Sequence, residues 1–218
     1  MSSGWQPFLS TLAGAFTGAW FAFLFNSNRE RKRAHDDNAR NGNLALYNLS
    51  EYWRELQLIH DDTVEPFLGD DNAWFNMPPT STRHLALSGM SNLDLSFVLQ
   101  SDHISVYPQV YRAARQYESI RSLMDQRNSM IIDRVRPALD QAGIKEGEKF
   151  KTEDVENAVG TDAVRHLQHM TTTILTVVLD NLVSLQNSFR LLHGVMLELY
   201  PNHDVVQCDF SLDRQSSE

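Results

Sequence analysis

The sequence has a single cysteine, Cys208, in 218 residues, so no disulfide can form within a chain. The fold must be held by packing, and one lone thiol suits a reducing compartment. There is no charged side chain before Arg29. That lack removes the basic opening of a secretory signal peptide, and no small-x-small cleavage site lies between the end of the apolar run and the first basic cluster. The chain also lacks a GxxxxGK[ST] or GxGxxG run, a GxSxG elbow and an HExxH pair, so the common local signatures of phosphate binding, serine nucleophiles and zinc peptidases are missing. Basic residues are scarce past residue 33, where fifteen face twenty-seven acidic ones. An acidic body is repelled by phosphate backbones, which excludes nucleic acid as a partner.

What the opening does contain is an almost wholly apolar run from Trp5 to Phe25, followed at once by Arg29, Arg31, Lys32 and Arg33. Twenty-one helical residues at about 1.5 Å each cover roughly the 30 Å hydrocarbon layer of a bilayer. Residues 1–28 are therefore expected to form a transmembrane anchor, in competition with a cleaved signal or a buried helix of a soluble protein. The positive-inside rule places the basic cluster on the cytoplasmic face, with the amino terminus outside and the body inside. This predicts a single-pass protein of a cytoplasmic (inner) membrane. Along one face Ser10, Gly14, Gly18 and Ala22 recur every four residues, and Gly14 with Gly18 makes a GxxxG pair. Small residues at that spacing let two backbones approach closely in lipid, where packing drives association. Trp5 and Trp20 fall near the two expected interfaces.

Residues 29–43 are polar throughout and read as a neck that spaces the anchor from the body and buries nothing. The body, 44–212, is long enough for one core, and 213–218 read as a disordered tail. Leu46, Leu49, Trp53, Leu56 and His60 draw one apolar stripe down a helix. Pro66, Gly69, Pro78, Pro79 and Gly89 then mark a long irregular excursion from Thr63 to about Ser91. A short helix is expected over Leu93–Leu99, with Leu93, Phe97 and Leu99 inward, and a longer one from Pro108 to Arg136, closed by Pro137 and Gly143. Thr152, Glu153 and Asp154 suit a helix start, Gly160 interrupts, and Thr161 with Asp162 restarts. Val178, Leu182, Leu185, Phe189, Leu192, Met196 and Leu199 then alternate four and three apart, extended upstream by Thr171 and Leu175. That repeat specifies a helix of nearly forty residues with a knobs-into-holes seam, facing either its own bundle or another subunit. After Pro201, the alternation of Val205, Val206, Cys208, Phe210 and Leu212 predicts one short strand, with Leu85 and Leu87 as its pairing partners. The fold class expected is all-α, an antiparallel helical bundle behind a membrane helix, with one small strand pair at most.

The anchor followed by ERKR, the NLALYNL run at Asn43–Leu49, the NLDLSFVLQSD run at Asn92–Asp102 and the LYP ending near Tyr200 resemble a diffuse class of small bacterial inner-membrane proteins. Members have one amino-terminal anchor and a cytoplasmic helical domain, and some look like parts of phage-defence or envelope-stress systems. The resemblance implies architecture and carries no substrate or catalytic residue.

Candidate chemistry is sparse. His166 and His169 stand three apart on one helix face and offer two metal ligands, but no third fixed ligand accompanies them. His60, Asp61 and Asp62 form a polar knot that a helix end explains. Cys208 has no adjacent base. No catalytic residue, cofactor or resident metal is assigned, and an enzyme is not expected. Trp74, Phe75 and Met77, set between Asp70, Asp71 and Pro78, Pro79, are either a sticky knob for a partner or a plug folded back into the bundle. The function expected is a membrane-tethered helical interaction or scaffold protein that self-associates through its anchor and binds a protein partner. A membrane-disrupting effector, and a metal-dependent enzyme using His166 and His169, are the competing readings.

Overall fold

The computed structural model describes residues 5–80, 94–144 and 151–210, with side chains from residue 14 onward. The described chain is all-helical. Its first element, α1 (Trp5–Ile59), joins the apolar run, the neck and the first body stripe in one unbroken helix of 55 residues, about 80 Å long. Arg29 to Ala34 are strong helix formers, and nothing between the apolar run and the stripe breaks the ladder. The stripe faces inward as its spacing requires: Leu46, Leu49 and Leu56 are fully buried and Trp53 nearly so.

The neck differs from expectation at its far end, where Ala39 and Gly42 are buried. The reason is close approach. A Cβ on Gly42 would overlap the thioether of Met196 and lie 3.0 Å from Cζ of Phe97. A side chain at position 42 would have to displace the buried end of Met196.

Past α1 the excursion carries a π-helical turn (His60–Val64), a 3-10 turn (Glu65–Phe67) and one helical turn, α2 (Ala73–Asn76). A single turn, α3 (Ser96–Leu99), buries Phe97 and Val98, with Leu95 buried just before it. Leu99 points outward instead of inward, because Leu95 takes the place on the buried side; Leu93 lies outside the described residues. Helix α4 (Tyr107–Met130) does not stop at Pro137 as expected. It passes through a second π turn (Ile131–Val135) into α5 (Arg136–Gln141). Proline has no N–H to give the ladder, and the wide turn, closed by the Arg136 N–H on the Ile131 carbonyl, takes up that irregularity just before Pro137. The first π turn stands in the same relation to Pro66.

Helix α6 (Thr152–Val159) begins where the acidic residues indicate, with the Lys151 N–H on the Asp154 carboxylate, 3.0 Å. Gly160, at φ +98°, turns the chain into α7 (Thr161–Leu199), 39 residues long. Helix α7 packs antiparallel against both α1 and α4, which touch each other over a shorter stretch. Its seam lies inside its own bundle: Val178, Leu182, Leu185, Phe189, Leu192 and Met196 are buried, with Leu199 half-buried at the end. Each such side chain contributes about 1.5–3 kcal/mol by leaving water. Asn181 donates to the Ala113 carbonyl (3.2 Å) and Ser188 to that of Gln109 (3.4 Å), which pins the register of α7 on α4.

Two apolar cores result. The larger lies between α1, α4 and the second half of α7. The smaller gathers Trp74, Ile131, Val135, Leu139, Val155 and Val159 around the first turns of α7. The expected strand pair is absent among the described residues. Residues 204–210 have no regular secondary structure, and the Asn43 side chain takes up two of their backbone groups, donating to the Asp204 carbonyl (2.7 Å) and accepting from the Val206 N–H (2.9 Å). Phe210 packs edge-on against Trp53 and Phe189, so the segment is held against helices and needs no partner strand. Leu85, Leu87, Leu212 and the tail 213–218 lie outside the described residues.

Two glycines on these helices should respond in opposite senses. Gly42→Val is expected to lose about 1–3 kcal/mol through overpacking. Gly194→Ala, where a Cβ meets nothing within 4 Å, should gain about 0.5–1 kcal/mol from helix propensity. Urea unfolding of both variants checks the pair, and equal responses would remove the close-approach argument.

Candidate functional site

The most exposed apolar surface lies on α1 ahead of the bundle. Phe16 is 74% exposed, Trp20 63%, Phe23 65% and Phe25 76%, with Phe21 and Leu24 also open. At 100° per residue these six spread over roughly 200° of the helix. The rest of the circumference carries the small residues Ala15, Gly18, Ala19 and Ala22, while Gly14 falls inside the arc between Phe21 and Phe25; all are exposed, and neither glycine has a neighbour within 4 Å of a built Cβ. The side chain of Ser10 lies outside the described residues. Arg29, Arg31, Lys32 and Arg33 follow, all exposed. Among the described residues no helix is long and apolar enough to cross a membrane. From Gly14 to Phe25 the apolar stretch covers about 18 Å.

Trp74 and Met77 are folded back, not presented outward. Trp74 belongs to the smaller core and Met77 to the larger, while Phe75 is half-buried. What holds them is Arg127, a fully buried guanidinium with no carboxylate beside it among the described residues. Its Nε donates to Thr171 Oγ1 (2.8 Å), and its Nη2 to the carbonyls of Met77 (2.6 Å) and Trp74 (3.4 Å). The neighbouring Asn128 completes the clasp, donating to the Thr80 carbonyl (2.6 Å) and accepting from the Thr80 N–H (3.2 Å). Burial pulls the Arg127 guanidinium down to about 10, so it remains charged at neutral pH and must keep its acceptors. Between this loop, the second π turn and α5 lies a cavity of about 240 Å³, lined by Trp74, Phe75, Pro79, Ile131, Val135 and Leu139, with Arg136 and Asp140 also on its wall. The lining is mostly apolar and holds no nucleophile beside a base.

A second buried polar group joins α1 to α4. The Tyr117 hydroxyl donates to Glu55 Oε2 (2.6 Å), Arg121 Nε lies 3.5 Å from Glu55 Oε1, and the Tyr52 ring stacks on Tyr117 at 4.2 Å. Burial, then the Glu55 carboxylate, push the Tyr117 phenol well above its ordinary value. The cluster is a charge-assisted clamp between helices.

His166 and His169 are both exposed on α7, and neither belongs to a ligand cluster among the described residues. Both are solvated side chains. His60 Nδ1 lies 2.9 Å from Asp61 Oδ1, a group that also accepts from Gln57 (2.8 Å), as a helix end requires. Cys208 is half-buried, and burial pushes its thiol up, away from the reactive thiolate. The residues that local motif reading missed are Arg127 and Glu55, whose partners stand 44 to 62 positions away. A charged residue at the apolar spacing of its helix was their one signal in the sequence.

No protein-family model, curated protein or solved structure matches the chain.

Replacing Arg127 by Met should leave the carbonyls of Trp74 and Met77 buried without donors. The expected loss is about 1–3 kcal/mol, with faster proteolysis between residues 66 and 80, read by limited digestion. Stability should also fall above about pH 10, where tyrosines in the unfolded chain ionise while Tyr117 in the folded chain keeps its proton. The raised folded value contributes stability below that pH and loses it as the pH rises. Tyr117→Phe should flatten the decline by up to about one proton's worth of slope, measured as urea midpoints between pH 8 and 11. Arg127, lowered in the folded state, acts in the opposite sense in both proteins and cancels.

Proposed function

We propose that this protein is a single-pass, membrane-tethered helical interaction protein. Residues 1–28 are its anchor, Arg29 to Arg33 its cytoplasmic collar, and the bundle a platform for a protein partner. The observation that carries this reading is the ring of exposed aromatic side chains between Phe16 and Phe25, on a helix whose remaining face there is glycine and alanine. A helix serving a water-soluble core buries one stripe and turns a polar face outward. This one has no polar face until Asn26, and a lone apolar helix in water is neither stable nor soluble. The sequence supplies apolar residues back to Phe8 and beyond, enough to bring the length of the apolar run to the thickness of a bilayer. Lipid is the solvent that fits such a surface, and four basic residues within five positions suit the anionic cytoplasmic leaflet.

Within the bilayer, Ser10, Gly14, Gly18 and Ala22 form the contact face between two copies of the anchor. The bundle in the cytosol is acidic, so a partner with a basic surface is favoured. Trp74 and Met77 stabilise the bundle and are withdrawn as anchors for that partner, since their side chains are already buried.

The full chain should stay with the membrane through an alkaline carbonate wash, and a reporter fused after Glu218 should be active only in the cytosol. Release by carbonate, or a reporter active outside, would refute the anchor. Crosslinking of the full chain in membranes should fall several-fold on changing both Gly14 and Gly18 to leucine, and unchanged crosslinking would refute the packing face. Depolarisation on overexpression, lost with residues 1–28, would replace the tether with the membrane-disrupting effector.

A further inference from the structure

We propose that His35, Asp36 and His203 bind one transition-metal ion, with zinc the best match, and that the ion fastens the segment after α7 to α1. The inference concerns the bundle's own end and stands whether or not α1 is anchored in lipid.

The three side chains come from places 167 positions apart. One imidazole nitrogen from each histidine and one carboxylate oxygen of Asp36 all lie within 4.8 Å of one another. His203 Nε2 is 3.3 Å from Asp36 Oδ1, and the two imidazole centroids are 5.3 Å apart. Zinc bonds of about 2.0–2.1 Å in a tetrahedron place ligand atoms roughly 3.3–3.4 Å from each other. The cluster needs to contract by about 1.5 Å at its widest, within reach of a side-chain rotation by the exposed His35.

A simple ion pair explains less of this arrangement. One imidazole is enough to partner one carboxylate, yet two converge on Asp36. The other nitrogen of His203, Nδ1, is buried and has no hydrogen-bond partner among the described residues. The ring nitrogen that faces Asp36 is Nε2. Two imidazoles and one carboxylate are a nitrogen-rich donor set of borderline softness, which selects zinc and its neighbours over magnesium or calcium. Three protein ligands leave a fourth position for water.

The groups are also held in place before any ion arrives. Tyr200 is buried and meets His35 edge-on at 4.8 Å and His203 at 5.9 Å, with Phe97 behind it at 5.8 Å. The His203 N–H bonds the Tyr200 carbonyl at 3.0 Å. Two helical turns further along α1, Asn43 grips the backbone of Asp204 and Val206. The chain after α7 is thus laid along α1 by one amide and one aromatic ring, and the ion would be its third fastening.

The other ligand cluster among the described residues, His60, Asp61 and Glu65, is less suited. It has one imidazole, its members share one stretch of chain, and Gln57 already donates to Asp61.

The test uses the full chain, purified with its affinity tag removed, titrated with Zn²⁺ and separately with Co²⁺. One equivalent of zinc per chain is expected, with a higher melting temperature that chelator reverses, and Co²⁺ should give the visible absorption of a low-symmetry nitrogen and oxygen site. Loss of a mere outer-shell partner typically weakens a metal site about 10–100-fold, so His35→Ala and His203→Ala should each lower zinc affinity by at least that much. The His166→Ala/His169→Ala double variant should bind as the unaltered chain does. Circular dichroism in chelator checks that each variant keeps its helices. Failure of the unaltered chain to bind either ion in stoichiometric amount overturns the proposal, as does zinc binding that survives in His35→Ala/His203→Ala. Loss of binding only in the His166→Ala/His169→Ala variant would move the site elsewhere and overturn it equally.

Discussion

The seam of α7 is the surface on which the rest of the bundle is built. Its first turns, through Ala163, Val164, Leu167 and Met170, close the smaller core, and from Ile174 to Met196 the same helix closes the larger. Because α1 and α4 touch each other over only a short stretch, each is positioned chiefly by its contact with α7. A helix buried along so much of its length tolerates polar residues only where a partner is fixed. Thr171, Asn181 and Ser188 are such residues, and each hydrogen-bonds α4.

Arg127 stands where the two cores meet, and its role follows from that place. A guanidinium has five donors and no acceptor. Buried without a carboxylate, it can be satisfied only by neutral oxygens, and the Trp74 to Thr80 segment supplies them as backbone carbonyls that an irregular loop leaves free. Loop and arginine thus solve each other's desolvation. The same exchange explains why Trp74 and Met77 are buried: the loop is drawn inward by its backbone, and its apolar side chains follow.

What was legible in the sequence is what repeats locally. The four-and-three alternation of α7 and the stripe from Leu46 to Leu56 gave their buried faces directly, since periodicity of 3.6 needs no knowledge of the partner. The end of α4 was misread because Pro137 is a reliable stop only when the ladder is regular, and a π turn changes the donor count just before it. The neck was misread because polar composition hides two small residues, Ala39 and Gly42, whose importance lies in what packs on them. Residues 204–210 alternate as a strand does, yet what fixes them to α1 is a side chain, Asn43, bonded to the Asp204 carbonyl and the Val206 N–H. Arg127 with Met77, Glu55 with Tyr117 and His35 with His203 are long-range pairings, and a single sequence carries no record of distance.

The continuity of α1 gives the molecule a mechanical property that a jointed design lacks. Had residues 29–43 formed a flexible neck, the body would turn independently of whatever holds residues 1–28. As an unbroken helix buried from Ala39 onward, α1 makes the direction of the exposed aromatic stretch and the direction of the bundle one quantity. A rotation imposed on Phe16 to Phe25 has no glycine or proline joint between Phe25 and Gly42 in which to dissipate before it reaches Gly42 and Met196. The contact where α1 first meets α7 is also where Tyr200, His35 and His203 gather. That end of the bundle receives any torque first, so fastenings placed there resist the separation of α1 from α7 more effectively than the same contacts placed at the far end.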